Sequence, residues 1–115
     1  MCGFFGIFSP KGINFDRAKL ESLTNLINHR GPDENGYFVN GNINLGFNRL
    51  SIIDIKNGKQ PFISQNNRYV IVFNGEIYNY KILRKNLISK NINLKTNSDT
   101  EVLLESIANF GLDFI

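Results

Sequence analysis

The chain has 115 residues, of which 42% are hydrophobic, and it carries a formal net charge of +3 with one cysteine and one histidine. This length suits a single domain, and ten phenylalanines provide enough apolar surface for a packed core, which excludes global disorder. One cysteine excludes a disulfide framework and a multi-cysteine zinc site, and no apolar run is long enough for a membrane-spanning helix.

Charge and the N-terminal segment limit the expected partners and location. Basic residues are scattered, and their densest group, Lys81, Arg84 and Lys85, lies on a predicted helix. A solvated helix face explains this group as well as a nucleic-acid surface would, and no nucleic-acid motif accompanies it. The first residues lack the basic region and cleavage site of a signal peptide, so we expect a cytoplasmic protein that binds neither membrane nor nucleic acid.

The first half of the chain predicts a strand, a helix and a hairpin. Residues 2–8 form an apolar run short enough for a buried strand. Apolar residues then recur at helical spacing from Asn14, the predicted N-cap, to a stop near His29. Two β-rich runs flank Asn40 and Gly41, the strongest local signal for a hairpin turn.

The second half predicts two strands and two helices. Three segments follow in order: a strand over 68–73, an amphipathic helix over 80–90 and a short strand over 92–95. Ser98 and Glu101 fit the capping box of a last helix, which Gly111 closes. Because strands outnumber helices in the middle of the chain, the pattern favours the α+β class over repeated βαβ units.

The only cysteine is the second residue, and Gly3 follows it. A thiol attacks acyl groups as its thiolate, and free cysteine has a pKa of about 8.5, so such a nucleophile needs a base. If Met1 is removed, the α-amine of the new N-terminus can accept the proton, since its reference pKa is about 7.7–8.0. The alternative is a small structural cysteine in a strand, and position alone leaves both open.

Three further features could serve acyl chemistry or be ordinary structure. Asn74 and Gly75 could present an amide and a backbone N–H as oxyanion donors, each typically worth roughly 3–4 kcal/mol, or form a plain turn. Arg49 could offer a guanidinium fork to a carboxylate or make a surface salt bridge. Asp99 could receive an ammonium group or simply complement a helix dipole.

Together these features form an ordered set of motifs. The chain contains "MCG", "HRGPDENG", "RLSIID", "NGKQP", "NGEIYNY" and "SDTE" in that order. In this combination the chain resembles, over essentially all its residues, the class II glutamine amidotransferase domain found at the N-terminus of glutamine-hydrolysing asparagine synthetases. The resemblance implies an N-terminal nucleophile hydrolase with a four-layer αββα sandwich, incomplete here at its C-terminus.

The resemblance also assigns roles to the candidate residues. Cys2 would be the nucleophile, with its own amine as the base, and would convert glutamine to glutamate and ammonia through a thioester. Asn74 and Gly75 would form the oxyanion hole.

Substrate binding would fall to three other positions by the same resemblance. Arg49 would bind the α-carboxylate of glutamine, and Asp99 would bind its α-amino group together with Gly75 and Glu76. The loop 30–33 would shape the entrance of the site.

Two departures from the family pattern qualify these expectations. Phe47 stands where asparagine synthetases often carry a histidine, two positions before the motif arginine. Residues 1–115 would be the N-terminal part of the glutaminase domain, with the synthetase domain absent. That domain would accept the ammonia and use ATP and Mg²⁺, whereas no cofactor or metal is expected in this chain.

The leading hypothesis is a glutaminase of asparagine synthetase type, with the ammonia acceptor left open between aspartate, another carboxylate and a sugar. The alternative is a non-catalytic remnant or regulatory module that keeps the glutamine pocket. Bare apolar strand faces in an incomplete sandwich would favour a homo-oligomer or aggregation.

Overall fold

The computed structural model describes residues 1–114, which form a mixed α/β structure with two small antiparallel sheets. By their internal contacts they divide into two compact units. The first unit comprises residues 1–51 and 59–61, and the second comprises residues 52–58 and the chain from residue 62 onward. Within the described residues, no helix is both long enough and apolar enough to cross a membrane.

The first unit contains a three-stranded antiparallel sheet in the order β1-β3-β2. Strand β1 spans Gly3–Phe8, β2 spans Glu34–Asn40 and β3 spans Ile43–Arg49. The predicted N-terminal strand and the predicted hairpin are therefore confirmed. Gly41 occupies the hairpin turn with a φ of 35°, in the left-handed region that glycine adopts without a steric penalty.

Helix α1 spans Arg17–Asn25 and begins later than the sequence predicts. Its N-cap is Asp16, whose carboxylate accepts a hydrogen bond from the backbone N–H of Lys19 at 3.0 Å. The prediction of Asn14 as N-cap was wrong, because the Asp16 side chain satisfies the first turn of the helix. The helix ends at Asn25, four residues before the predicted stop near His29, and a separate 3₁₀ helix follows over Asn28–Arg30.

Helix α1 packs closely on one face of β3. Its buried residues are Leu20 and Thr24. Asn48 Nδ2 donates a 2.8 Å hydrogen bond to the carbonyl of Thr24. Thr24 also lies so close to Gly46 that a Cβ at this glycine would overlap its side chain. The helix thus reaches β3 only because position 46 has no side chain.

The second unit contains less strand than the sequence predicts. Strand β4 spans Phe62–Ile63 and pairs with β5, which spans Val70–Ile71 and is much shorter than the predicted strand over 68–73. A segment with high strand propensity forms a strand only where a neighbouring strand pairs with it. Because β4 has two residues, β5 also has two. The strand predicted over 92–95 does not form, because the N–H of Lys95 donates to a side chain of the last helix.

Two helices form the core of the second unit. Helix α2 spans Tyr80–Ser89, in agreement with the prediction, and α3 spans Asp99–Phe110. Leu87, Leu94 and Val102 are buried together between them and the connecting segment. This core holds the start of α3, which carries one of the candidate site residues.

A side chain caps the N-terminus of α3, and a backbone N–H caps its C-terminus. Ser98 is the N-cap as predicted, and its hydroxyl accepts from the N–H of Thr100 at 3.2 Å. Glu101 does not complete the predicted capping box, because its carboxylate binds the preceding loop at Lys95 instead. Gly111 ends the helix with a φ of 84°, as predicted.

Candidate active site

The candidate residues fall into two groups, one in each compact unit. Cys2 and Arg49 belong to the first unit, and Asn74, Gly75, Glu76 and Asp99 belong to the second. Each group has a definite local geometry.

The sulfur of Cys2 lies against the end of strand β3. The backbone N–H of Leu50 donates to Cys2 Sγ at 3.3 Å, and the thiol lies 3.5 Å from the carbonyl oxygen of Leu50. Arg30 Nε donates to the backbone carbonyl of Cys2 at 3.2 Å. The thiol is free and half-buried. A peptide N–H directed at the sulfur can stabilise negative charge on it.

The loop 30–33 braces this arrangement from the side of β3. A Cβ at Gly31 would overlap the backbone of Asn48, so the loop can lie flat on the strand only with glycine there. Asp33 accepts the N–H of Ser51 at 2.8 Å through Oδ2, and its own N–H donates to the carbonyl of Arg49 at 3.0 Å. The motif "RGPD" therefore holds the segment that contacts the cysteine.

Arg49 is buried, with 4% of its surface exposed. Its Nη1 donates to Glu34 Oε2 at 3.2 Å, and Lys59 Nζ lies 3.1 Å from the other oxygen of the same carboxylate. Sequence reasoning missed Glu34, although it sits directly opposite Arg49 in the hairpin register. Phe47, the departure from the family pattern, is fully buried two residues before Arg49 on the same face of the strand.

Asp99 lies in the first turn of α3 and is 5% exposed. Its Oδ2 accepts the backbone N–H of Ile77 at 3.2 Å. Ile77 directly follows Asn74, Gly75 and Glu76, which are exposed in an irregular loop. The structure therefore brings Asp99 to the loop that carries the three other candidates of the second unit.

Gly75 has a steric reason to be glycine. A Cβ at this position would come within 2.6 Å of the ring of Phe73. Real Cβ atoms essentially never approach other atoms so closely, so a side chain here would displace either the ring or the loop. The ring of Phe73 therefore lies directly against the backbone of Gly75. Among residues 1–114, no group of three or more His, Cys, Asp or Glu side chains is placed to hold a metal ion.

Comparison with known proteins assigns the family. Residues 1–115 match the glutamine amidotransferase domain model, and the chain belongs to that family.

Three relatives show the type. The chain is 46% identical to asparagine synthetase [glutamine-hydrolyzing] 1 of Bacillus subtilis over 96% of its residues and 18% of the relative. It is 38% identical to asparagine synthetase B [glutamine-hydrolyzing] of Escherichia coli and 37% identical to asparagine synthetase [glutamine-hydrolyzing] 1 of Arabidopsis thaliana, over 100% of the chain in both cases. These matches cover 21% and 20% of the two relatives, so the chain spans about a fifth of the relatives' length.

Proposed function

We propose that this chain is part of a glutaminase domain that hydrolyses the side-chain amide of glutamine to glutamate and ammonia. The observation that carries the proposal is the hydrogen bond between Cys2 Sγ and the N–H of Leu50, the residue after Arg49. It places a candidate nucleophile beside the strand end that carries the candidate carboxylate ligand. The relatives named above support the same chemistry, because each is named as glutamine-hydrolysing.

In the proposed reaction, Cys2 Sγ attacks the amide carbon of glutamine after its proton passes to the α-amine exposed by removal of Met1. The resulting oxyanion accepts hydrogen bonds from Asn74 Nδ2 and the N–H of Gly75. The C–N bond then breaks, ammonia leaves with the transferred proton, and a thioester remains. Water attacks the thioester, releases glutamate and restores the thiol.

We assign binding of the amino-acid end of glutamine to three charged side chains and one backbone group. Arg49 would bind the α-carboxylate, because a guanidinium has five donors and can engage Glu34 and a substrate together. Asp99 and Glu76, with the backbone of Gly75, would bind the α-ammonium group. The low exposure of Arg49 and Asp99 strengthens such contacts, since screening by water is reduced.

The proposed fold is the four-layer αββα sandwich, of which the described strands would form a part. In that arrangement, the sheet face opposite α1 would pack against a second sheet. Phe4 and Phe8 lie on that face and are 51% and 66% exposed. We further propose a cytoplasmic protein whose ammonia passes to a synthetase domain. ATP and Mg²⁺ would serve that domain, and a homo-oligomer is compatible with the exposed apolar face.

The test measures ammonia release and covalent labelling by a glutamine-like electrophile. We expect the mature protein to lack Met1 by intact-mass spectrometry, and the electrophile to label Cys2 alone. Cys2→Ala should abolish label and ammonia release but keep glutamine binding. Met1 retained on an active enzyme, or ammonia release by Cys2→Ala, would refute the mechanism. Glutamine binding without turnover by the wild-type protein would favour the non-catalytic remnant.

A further inference from the structure

Two carboxylate side chains accept hydrogen bonds from the backbone of the segment that leads into α3. Glu101 Oε1 accepts the N–H of Lys95 at 2.8 Å, and its Oε2 accepts the N–H of Thr96 at 2.7 Å. Asp54 Oδ2 accepts the N–H of the next residue, Asn97, at 2.7 Å. Three consecutive backbone N–H groups therefore end on acidic side chains, all within the second compact unit.

The burial of Glu101 shows that this arrangement has a cost. Its exposed fraction is 1%, and a carboxylate is removed from water only when hydrogen bonds replace its hydration. A helix could cap its first turn with Ser98 alone, and Ser98 does so here. The acidic side chain of Glu101 instead reaches away from the helix to the preceding loop, so capping does not explain its presence.

Thr96 and Ser98 connect the Glu101 carboxylate with Asp99. Thr96 Oγ1 donates to Glu101 Oε2 at 2.7 Å and accepts the N–H of Ser98 at 3.1 Å. Ser98 is covalently joined to Asp99, whose carboxylate accepts the N–H of Ile77. Two hydrogen bonds and one peptide linkage therefore connect the Glu101 carboxylate with Asp99.

Asp54 holds the same segment from a second direction. Besides the N–H of Asn97, it accepts the backbone and side-chain N–H groups of Asn57 at 3.2 Å. The acidic residue at the end of "RLSIID" is thereby joined to the segment that begins "TNSD".

We propose that Glu101 and Asp54 are positioning residues, which fix Asp99 through Thr96 and Asn97 so that its carboxylate meets the α-ammonium group of glutamine. This inference rests on the proposed function. Small displacements of a binding group weaken its contact steeply, so a residue that sets the aim of Asp99 should act on recognition of the amino group specifically.

The test compares L-glutamine with glutaramate, which is glutamine without its α-amino group. In a Cys2→Ala background of the full protein, the affinities for both ligands are measured by calorimetry for Glu101→Gln, Asp54→Asn and Thr96→Val. We expect the affinity for L-glutamine to fall about tenfold or more. The affinity for glutaramate should change by less than about threefold, since it makes no ammonium contact. With catalytically competent Cys2, the same loss should lie in KM more than in kcat.

Glu105→Gln is the matched control. Glu105 is on the same helix, is 2% exposed and likewise accepts a loop N–H, that of Gln65 at 2.8 Å. Its other carboxylate oxygen accepts from Asn109, at the far end of the helix from Asp99. Its substitution should leave the ratio of the two affinities unchanged. Thr96→Val replaces a hydroxyl with a methyl group of similar size, so it remains informative if Glu101→Gln fails to fold.

Two results would overturn the inference, and a third would overturn the function beneath it. Equal loss for both ligands would show that Glu101 and Asp54 support the site in general. An unchanged affinity for L-glutamine would show that they do not position Asp99. Failure of the otherwise unsubstituted protein both to bind and to hydrolyse glutamine would instead refute the proposed function.

Discussion

At the scale of single residues, two charged side chains of the candidate site are buried and held by a hydrogen-bonding partner. Arg49 is buried and held by Glu34, and Asp99 is buried and held by the N–H of Ile77. Neither is a freely moving surface charge. In both cases a second group fixes the direction of the charged atoms, and that direction determines which ligand they can bind.

The first prediction concerns the guanidinium of Arg49. Arg49→Lys should lower kcat/KM for glutamine by the equivalent of about 1.5–3 kcal/mol, because lysine cannot supply a bidentate fork. The measurement is steady-state ammonia release over a range of glutamine concentrations. Arg17→Lys is the control, since the Arg17 side chain is 67% exposed and interacts with Glu21 and with the ring of Tyr37, neither of which is a candidate site residue. Unchanged KM and kcat in Arg49→Lys would assign Arg49 a purely structural role.

At the scale of elements, close approach of the backbone explains why helix α1 and loop 30–33 lie where they do. Gly46 and Gly31 face neighbours that leave no space for a side chain. Both contacts converge on strand β3, whose end carries Arg49 and meets Cys2. The position of Cys2, the candidate nucleophile, therefore depends in part on two glycines that have no side chain.

The second prediction tests the contact between α1 and β3. Gly46→Ala should destabilise the fold by about 1–3 kcal/mol, because its Cβ would overlap Thr24 and force the helix outward. Gly6→Ala should cost less, since its Cβ would meet only Leu45 Cδ2, the end of a flexible side chain, at 3.1 Å. Chemical denaturation measures both. Equal losses in the two variants would contradict the packing argument.

At the scale of the whole molecule, one face of the first unit's sheet has much apolar surface exposed. The face opposite α1 carries Phe4 and Phe8, and the half-buried Phe38 and Leu45 lie beside them in the strand register. Such a face is normally covered by another layer of structure. The proposed second sheet of the sandwich would provide that layer.

The third prediction is that a polypeptide of residues 1–115 alone associates through this face. Sedimentation should show oligomers or aggregates, and Phe8→Lys should shift them toward monomer because it places a charge on the face. Val39→Lys is the control, as Val39 is 52% exposed but lies on the other face of the sheet. A monodisperse wild-type monomer would show that the face needs no cover.

Local signals in the sequence were sufficient for several elements. The hairpin at Asn40-Gly41, helix α2 and the caps Ser98 and Gly111 were predicted correctly, because each depends on the conformational preferences of adjacent residues. The family could also be predicted from the sequence, since the order and spacing of the motifs are visible without coordinates.

Only the tertiary structure decided what depends on residues distant in the chain. Within the β-rich run over 68–73, Val70 and Ile71 form the strand, because the partner strand β4 has two residues. Glu34 binds Arg49, which lies 15 positions further along the chain, and Asp54 binds Asn97, which lies 43 positions further along. A motif specifies which functional groups are present. The partners of those groups depend on how distant segments pack together, and a local sequence pattern contains no information on that packing.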